Sequence, residues 1–277
     1  MFTLWILFLT STFLLYWIYD GYGRFLQLAA LLSGRSPFIA RSSSESSHPV
    51  EMMPSLTALL TVHNEEATIE ATLQNLLSCD YPTDRFQILV ASDGSTDRTN
   101  ELIRGYPDPR GQLFESPGLG KTGTQNLAIQ SVESDLLLFV DAGVRFEPGF
   151  LREIAAQFRD PAVGAVDGRL LYPSDGGTAE VAGQGFYWRY ELKLRELESR
   201  LGLLAVMTGA CMSIRRDLFV EMDPSIGEDC IVPLDIVCQH RRVVHASAAR
   251  AVDHFEEGAG VTLRRRIRMT LRNWQGT

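Results

Sequence analysis

Leu56-Thr57-Ala58-Leu59-Leu60-Thr61-Val62-His63-Asn64-Glu65-Glu66 is the stretch on which the fold turns. An uncharged run, apolar at successive rather than alternate positions, ends in a polar turn carrying two acids. Such a run fits a strand buried on both faces. Past the turn, Ile69, Leu73, Leu76 and Leu77 recur at helical spacing over residues 66–78. Glu65 and Glu66 stand at the start of that helix, where its dipole favours negative charge. The pattern then repeats. Phe86–Ala91 reads as a second buried strand, followed by Ser92-Asp93-Gly94-Ser95-Thr96-Asp97 and a helix to Arg104. A short helix over Asn126–Val132 leads into a third strand, Leu136–Val140, and then Asp141-Ala142-Gly143. Strand–helix alternation of this kind implies an α/β domain with a mostly parallel sheet and helices on both faces. No self-similarity at 20–50 residues appears, so repeat architectures are excluded.

The acids follow the strands. In open α/β sheets, ligands bind outside the carboxyl ends of the strands. Glu65, Asp93 and Asp141 each stand just past one strand, which would gather three carboxylates in one cleft. Carboxylates brought together repel unless they share something positive. A divalent cation bridging a phosphorylated ligand suits them, because Mg²⁺ and Mn²⁺ take oxygen ligands and keep positions open for phosphate. Taken singly, each acid is as readily a cap or turn residue, and for Asp97 that plainer reading is preferred.

Outward from this core, composition sets the class. The chain has 277 residues, 45% apolar and 22% charged, which is globular rather than disordered or collagenous. A net charge of −8 excludes a protein built to grip nucleic acid, whose phosphates select basic surfaces. Cys79, Cys211, Cys230 and Cys238 lie far apart with no C-x-x-C, so reduced, mostly buried thiols are expected rather than a zinc or redox site.

Phe2–Tyr19 carries no charge and, as a helix, would be about 27 Å long, close to the hydrocarbon thickness of a bilayer. Tyr16, Trp17 and Tyr19 at its far end fit the headgroup belt. No Lys or Arg precedes Arg24, which argues against a cleaved signal peptide and for an anchor. Arg24, Arg35 and Arg41 follow the apolar run, so the positive-inside rule puts the remainder on the cytoplasmic side of the cell membrane. Phe25–Leu32 is too short to span and is expected to lie at the interface. Residues 33–54, rich in Ser, Pro and Arg, read as a tether. The organisation expected is therefore an anchor over 1–32, a linker over 33–54 and a domain over 55–277, long enough for a substantial core.

Several motifs stand in an order that resembles the family 2 glycosyltransferases. They are Val62-His63-Asn64-Glu65-Glu66, Ser92 to Asp97, Gly120-Lys121-Thr122-Gly123-Thr124-Gln125-Asn126, Asp141-Ala142-Gly143, Thr208-Gly209-Ala210-Cys211-Met212-Ser213-Ile214-Arg215-Arg216 and Gly227-Glu228-Asp229. Members of that family are inverting enzymes of the GT-A fold that use nucleotide-sugar donors. The resemblance covers roughly residues 55–274. It implies that Glu65 and Asp93 contact uracil or ribose, that Lys121 lies near the donor, and that Gly209 belongs to a segment lining donor sugar and acceptor. It further implies that Asp141 holds a divalent metal, Mg²⁺ or Mn²⁺, and that Asp229 is the catalytic base; without the resemblance, an acid at a helix start would read as an N-cap.

The chain also departs from the family. Ser92 stands where the first acid of the usual double-aspartate turn would be, and Gly143 where the second metal acid would be. One carboxylate leaves the rest of a metal's shell to phosphate oxygens and water. The glycine segment is not a P-loop, because Glu115 occupies the position that needs glycine. Arg264-Arg265-Arg266-Ile267-Arg268, with Arg272 and Trp274, resembles the basic segment of membrane-bound relatives without a strict Gln-x-x-Arg-Trp. Arg265 and Arg268 would hold the leaving diphosphate, or the run over 264–272 would lie on anionic lipid. Gly185 to Glu191 opens a long amphipathic helix whose aromatic residues are either core packing or a sugar platform.

The function expected is a membrane-anchored inverting glycosyltransferase, moving a sugar from a nucleotide sugar, by resemblance a UDP-sugar, to a glycan or lipid-linked hydroxyl. A non-catalytic or truncated relative acting in assembly is the alternative, favoured by the missing acid at Gly143 and by the stop at Thr277, since membrane-bound relatives commonly continue into further transmembrane helices; a chain that works with its single anchor would do so with a membrane partner subunit. A nucleotidyltransferase is disfavoured, because His63-Asn64-Glu65-Glu66 replaces the glycine-rich basic loop expected after the first strand.

Overall fold

The computed structural model describes residues 1–34, 53–172 and 179–253. Strand β1 (Leu56–Val62) lies near the middle of an eight-stranded sheet. Its neighbours are β2 (Phe86–Asp93) and β4 (Leu136–Asp141), both parallel to it, and β3 (Gly111–Ser116) lies parallel outside β2. On the other side of β4 come β7 (Met212–Arg215), β6 (Val163–Leu171), β8 (Arg242–Asp253) and β5 (Val144–Phe146), in that order. β7 is antiparallel to both β4 and β6, and β5 to β8, while β6 and β8 are parallel. The fold is the expected mostly parallel α/β sheet, with an antiparallel insertion beyond β4.

β1 is buried on both faces, as its unbroken apolar run requires. Leu56, Ala58, Leu60 and Val62 belong to one core with Ile69, Leu73 and Leu76 of α3 (Ile69–Leu77), Ile103 of α4 (Thr99–Arg104), and Leu151 and Ile154 of α6 (Phe150–Gln157). Leu59 faces the opposite core, with Ala128 and Ile129 of α5 (Gly120–Ile129) and Val232 and Ile236 of α8 (Glu228–Cys238). Each of the fully buried leucine and isoleucine side chains contributes roughly 1.5–3 kcal/mol. Register sets the site: Val62 pairs with Ser92, and Thr61 with Asp141, so the carboxyl ends of β1, β2 and β4 finish level with one another.

The expected strands extend to the acids themselves, β2 to Asp93 and β4 to Asp141. α5 starts at Gly120 rather than Asn126. The two apolar N-terminal stretches are continuous. α1 (Phe2–Tyr16), a π-helical turn over Trp17–Gly21 and α2 (Tyr22–Leu32) form one continuous helix, the one helix among the described residues long and apolar enough to cross a membrane. No residue of α1 is buried. α2 packs by one face onto α7 (Ala179–Leu201). Gly23, Leu26 and Ala30 are buried, and Tyr22 Oη donates to Glu198 Oε1 at 2.7 Å. Gly23 makes this approach possible, because a Cβ there would sit 3.0 Å from Tyr190 Oη. Phe25, Leu28, Leu31 and Leu32 remain exposed on the other face. The expected tether falls mostly on residues 35–52, outside those described.

Within α7, Trp188 Nε1 donates to Leu170 O at 2.8 Å and its ring meets Tyr172 edge-on, so this aromatic is core packing. All four cysteines are free thiols; Cys79 and Cys211 are buried, Cys230 is half-buried and Cys238 is exposed.

Candidate active site

The turns after β1 and β2 are knitted together by polar side chains. Asn64, at φ +56, accepts from the Thr96 amide at 2.8 Å, and His63 Nδ1 lies 2.7 Å from Asp93 O. Glu65 turns into its own loop: its Oε2 accepts from Thr68 Oγ1 at 2.6 Å, and its amide donates to Thr99 Oγ1 at 2.8 Å. Asp97 keeps the turn role expected of it, accepting from the amides of Thr99 (3.0 Å) and Glu66 (3.1 Å).

Asp93 Oδ1 accepts from the Gly120 amide (3.1 Å) and Thr124 Oγ1 (2.7 Å), so the end of β2 holds the N-terminus of α5. A carboxylate there is favoured by the free amides and the helix dipole. Glycine permits the approach: Gly94 has φ +66, and a Cβ on it would lie 3.2 Å from Gly118 Cα.

One residue further, Lys121 projects from the first turn of α5 towards the end of β4. Its Nζ lies 2.5 Å from Asp141 Oδ1 and also pairs with Glu228 Oε1 from the first turn of α8. Burial works against the ammonium, but Asp141 and then Glu228 outweigh it and raise its pKa, keeping it charged. Glu228 is itself buried, and Gly209 lies directly over it: a Cβ at 209 would stand 3.1 Å from Glu228 Oε1. Asp229 follows. Burial, and then the charge of Glu228, push its carboxyl above the usual aspartate range, while Lys121 and Arg195 pull the other way. The Met207 amide donates to Asp229 O at 3.1 Å, tying the loop before Gly209 to this corner.

Behind the loop sits a second charged group that the sequence reading did not single out. Asp167, on β6, is fully buried and accepts from Arg195 Nη1 (3.0 Å), His245 Nδ1 (2.8 Å) and the Thr208 amide (2.6 Å). Burial alone would raise its pKa, but the His245 hydrogen bond, the Arg195 charge and the Thr208 amide lower it. Arg195 Nη1 also donates to Thr208 Oγ1 at 2.8 Å.

Of the residues expected in the site, the structure brings together Lys121, Asp141, Gly209 and Asp229, with Asp93 adjoining through Gly120. Glu65 is held by its own turn. Arg265 and Arg268, with the rest of 264–272, lie outside the described residues. Glu228 is the member not proposed from the sequence; its neighbour in the Glu-Asp pair was the only signal for it.

Residues 57–222 match the family described as Glycosyl transferase family 2. Among curated relatives, a β-monoglucosyldiacylglycerol synthase of Synechocystis is 30% identical over 48% of this chain and 29% of its own length. An N-acetylglucosaminyltransferase of Rhizobium meliloti is 30% identical over 63% of this chain and 42% of its own. The chain thus spans less than half the length of these relatives. The mannosyltransferase of Pyrobaculum calidifontis, solved with GDP-Man and Mn²⁺, superposes with a TM-score of 0.73 at 20% identity, over 94% of this chain and 72% of that one. TarS of S. aureus, solved with UDP-GlcNAc, gives 0.56 at 18% identity, over 75% and 60%.

Mn²⁺ in such a neighbour raises the question of fit here. Asp141 already draws a cation, the Lys121 ammonium, onto its Oδ1. No group of three or more His, Cys, Asp or Glu side chains converges as a metal site among the described residues. A single half-exposed carboxylate fits an oxygen-loving ion that arrives with a diphosphate and water, rather than one held by the protein alone.

Proposed function

This chain belongs to glycosyl transferase family 2, and we propose that it is a membrane-anchored inverting glycosyltransferase that moves a sugar from a nucleotide sugar to a hydroxyl acceptor. The observation that carries this reading is the convergence of Asp141, Lys121 and the Glu228–Asp229 pair at the carboxyl edge of the sheet. That edge is where α/β folds bind nucleotides.

In this reading the donor diphosphate lies over Lys121 and Asp141, with its nucleoside towards the Asp93 and Glu65 turns. Lys121 leaves its carboxylate partners in part to face phosphate, which it meets as a compact charge. A divalent ion, Mg²⁺ or Mn²⁺, held by Asp141 would supply further neutralisation of the leaving diphosphate. Asp229 takes the proton from the acceptor hydroxyl as that oxygen attacks the anomeric carbon. The nucleoside diphosphate departs from the opposite face, so one displacement inverts the configuration. Arg265 and Arg268 are proposed to contact the departing diphosphate. A UDP-sugar is the proposed donor and a glycan or lipid-linked hydroxyl the acceptor. The apolar helix Phe2–Leu32, exposed along all of α1, supports anchoring, with the domain proposed on the cytoplasmic side.

Asp229→Asn tests the base. Transfer is expected to fall by a factor of about 10³ or more, while nucleotide affinity stays within about twofold. Because the Asp229 carboxyl is raised, the wild-type rate is expected to fall with acidification from a higher pH than an exposed aspartate would give, since only the ionised form accepts a proton. Normal turnover in the Asn variant removes Asp229 from this role.

A further inference from the structure

We propose that Asp167 is a positioning residue for this site: together with Arg195 and His245 it fixes the Met207–Gly209 loop, and through that loop the place of Glu228 and Asp229. The proposal rests on the reading of the Glu228–Asp229 corner given above.

The contacts form an unbroken chain. Asp167 Oδ1 takes the Thr208 amide at 2.6 Å, and Oδ2 takes Arg195 Nη1 and His245 Nδ1. Arg195 Nη1 reaches Thr208 Oγ1 as well, so both polar handles of Thr208 are held from the same side. One residue before Thr208, the Met207 amide bonds the backbone of Asp229; one residue after it, Gly209 rests against the Glu228 carboxylate. Glu228 in turn pairs with Lys121, and Lys121 with Asp141.

The anchor itself has little freedom. Asp167 lies on β6, Arg195 on α7 and His245 on β8, and all three are buried. Arg195 is further steadied by Glu191 Oε1 at 3.2 Å and by the face of Trp188, and the His245 amide donates to Ser199 of α7 at 2.8 Å. A buried ionic group of this kind is weak evidence for stability, since apolar side chains of similar volume often serve as well. What apolar replacements could not do is fix one loop amide and one hydroxyl to a single geometry. Leu204 and Met207 bury their side chains in the core beside α8, but no helix or strand orders the backbone between Leu201 and Met212, so the Thr208 amide and hydroxyl take their geometry from Asp167 and Arg195.

The test is hydrogen exchange on the full chain in detergent micelles, comparing wild type with Asp167→Asn. The proposal expects amides in 203–209 and 228–231 to exchange about tenfold faster or more, with amides of β1 and β4 unchanged. Unchanged exchange over 203–209, or an equal rise in β1 and β4, would overturn it, the latter marking plain destabilisation. If Asp167→Asn does not fold, Arg195→Lys is measured with the same two outcomes, since lysine keeps the charge but lacks the planar fork. UDP is titrated against the wild type in parallel, so that the donor reading is tested separately from the loop claim. A wild type that binds no UDP would count against the donor reading alone, leaving the exchange result to decide the loop claim.

Discussion

Lys121 is the residue on which the electrostatics of the site rest. Glu228 is buried, and its carboxylate is compensated by that ammonium. Removing one partner of a buried charge pair leaves the other unsatisfied, and the penalty exceeds what the pair itself contributes. Lys121→Met is therefore expected to lower unfolding free energy by about 1–3 kcal/mol, discounted for the partial exposure of Asp141. Adding Glu228→Gln should restore most of that loss, as contacting residues are not additive. Chemical denaturation of the two variants checks this; equal losses in the single and double variants would contradict it. That Lys121, Asp141 and Asp229 would lie near one another was legible through the family resemblance, each sitting in one of its motifs beside a strand or helix end. Glu228 as a partner of Lys121 was not, since the contact joins residues far apart in the chain. Asp167, Arg195 and His245 left no local mark at all, being three ordinary polar residues that only the sheet order and α7 bring together.

At the scale of elements, β1, β2 and β4 were legible because strands buried on both faces read as unbroken apolar runs. β3 (Gly-Gln-Leu-Phe-Glu-Ser) is an edge strand with mixed exposure, and β8 carries two arginines, a histidine and a serine, so neither shows such a run. β6 hides behind Asp167 and two glycines, Gly164 and Gly168. The glycines are there for packing: a Cβ at 164 would meet Arg241 Cβ at 2.6 Å, and one at 168 would meet Phe150 at 2.8 Å. The docking of α2 on α7 is likewise a packing event, set by Gly23 under Tyr190. Gly23→Leu is expected to free α2 from α7, raising exchange of the α2 amides about tenfold while the melting temperature of the sheet domain is kept. Unaltered protection of α2 in that variant would show that the glycine is not what permits the contact.

For the whole molecule, a long apolar N-terminal helix ahead of an α/β domain was readable from the sequence, but the way the helix meets the domain was not. The sequence separates a spanning stretch from an interfacial one; the structure runs both into a single helix whose second half leans on α7. α7 also carries Arg195, so the same helix that receives α2 at Tyr190 and Glu198 holds the Thr208 loop. The central claim is that the carboxyl edge of the sheet takes a nucleoside diphosphate beside Asp141 and Lys121. Calorimetric titration of the folded protein with UDP, and with GDP as the alternative base, tests it most directly, with Mn²⁺ present and then with chelator. The account predicts UDP binding with Mn²⁺ that weakens about tenfold or more in chelator. Absence of binding by either nucleotide under both conditions would contradict it and bring the non-catalytic assembly reading forward.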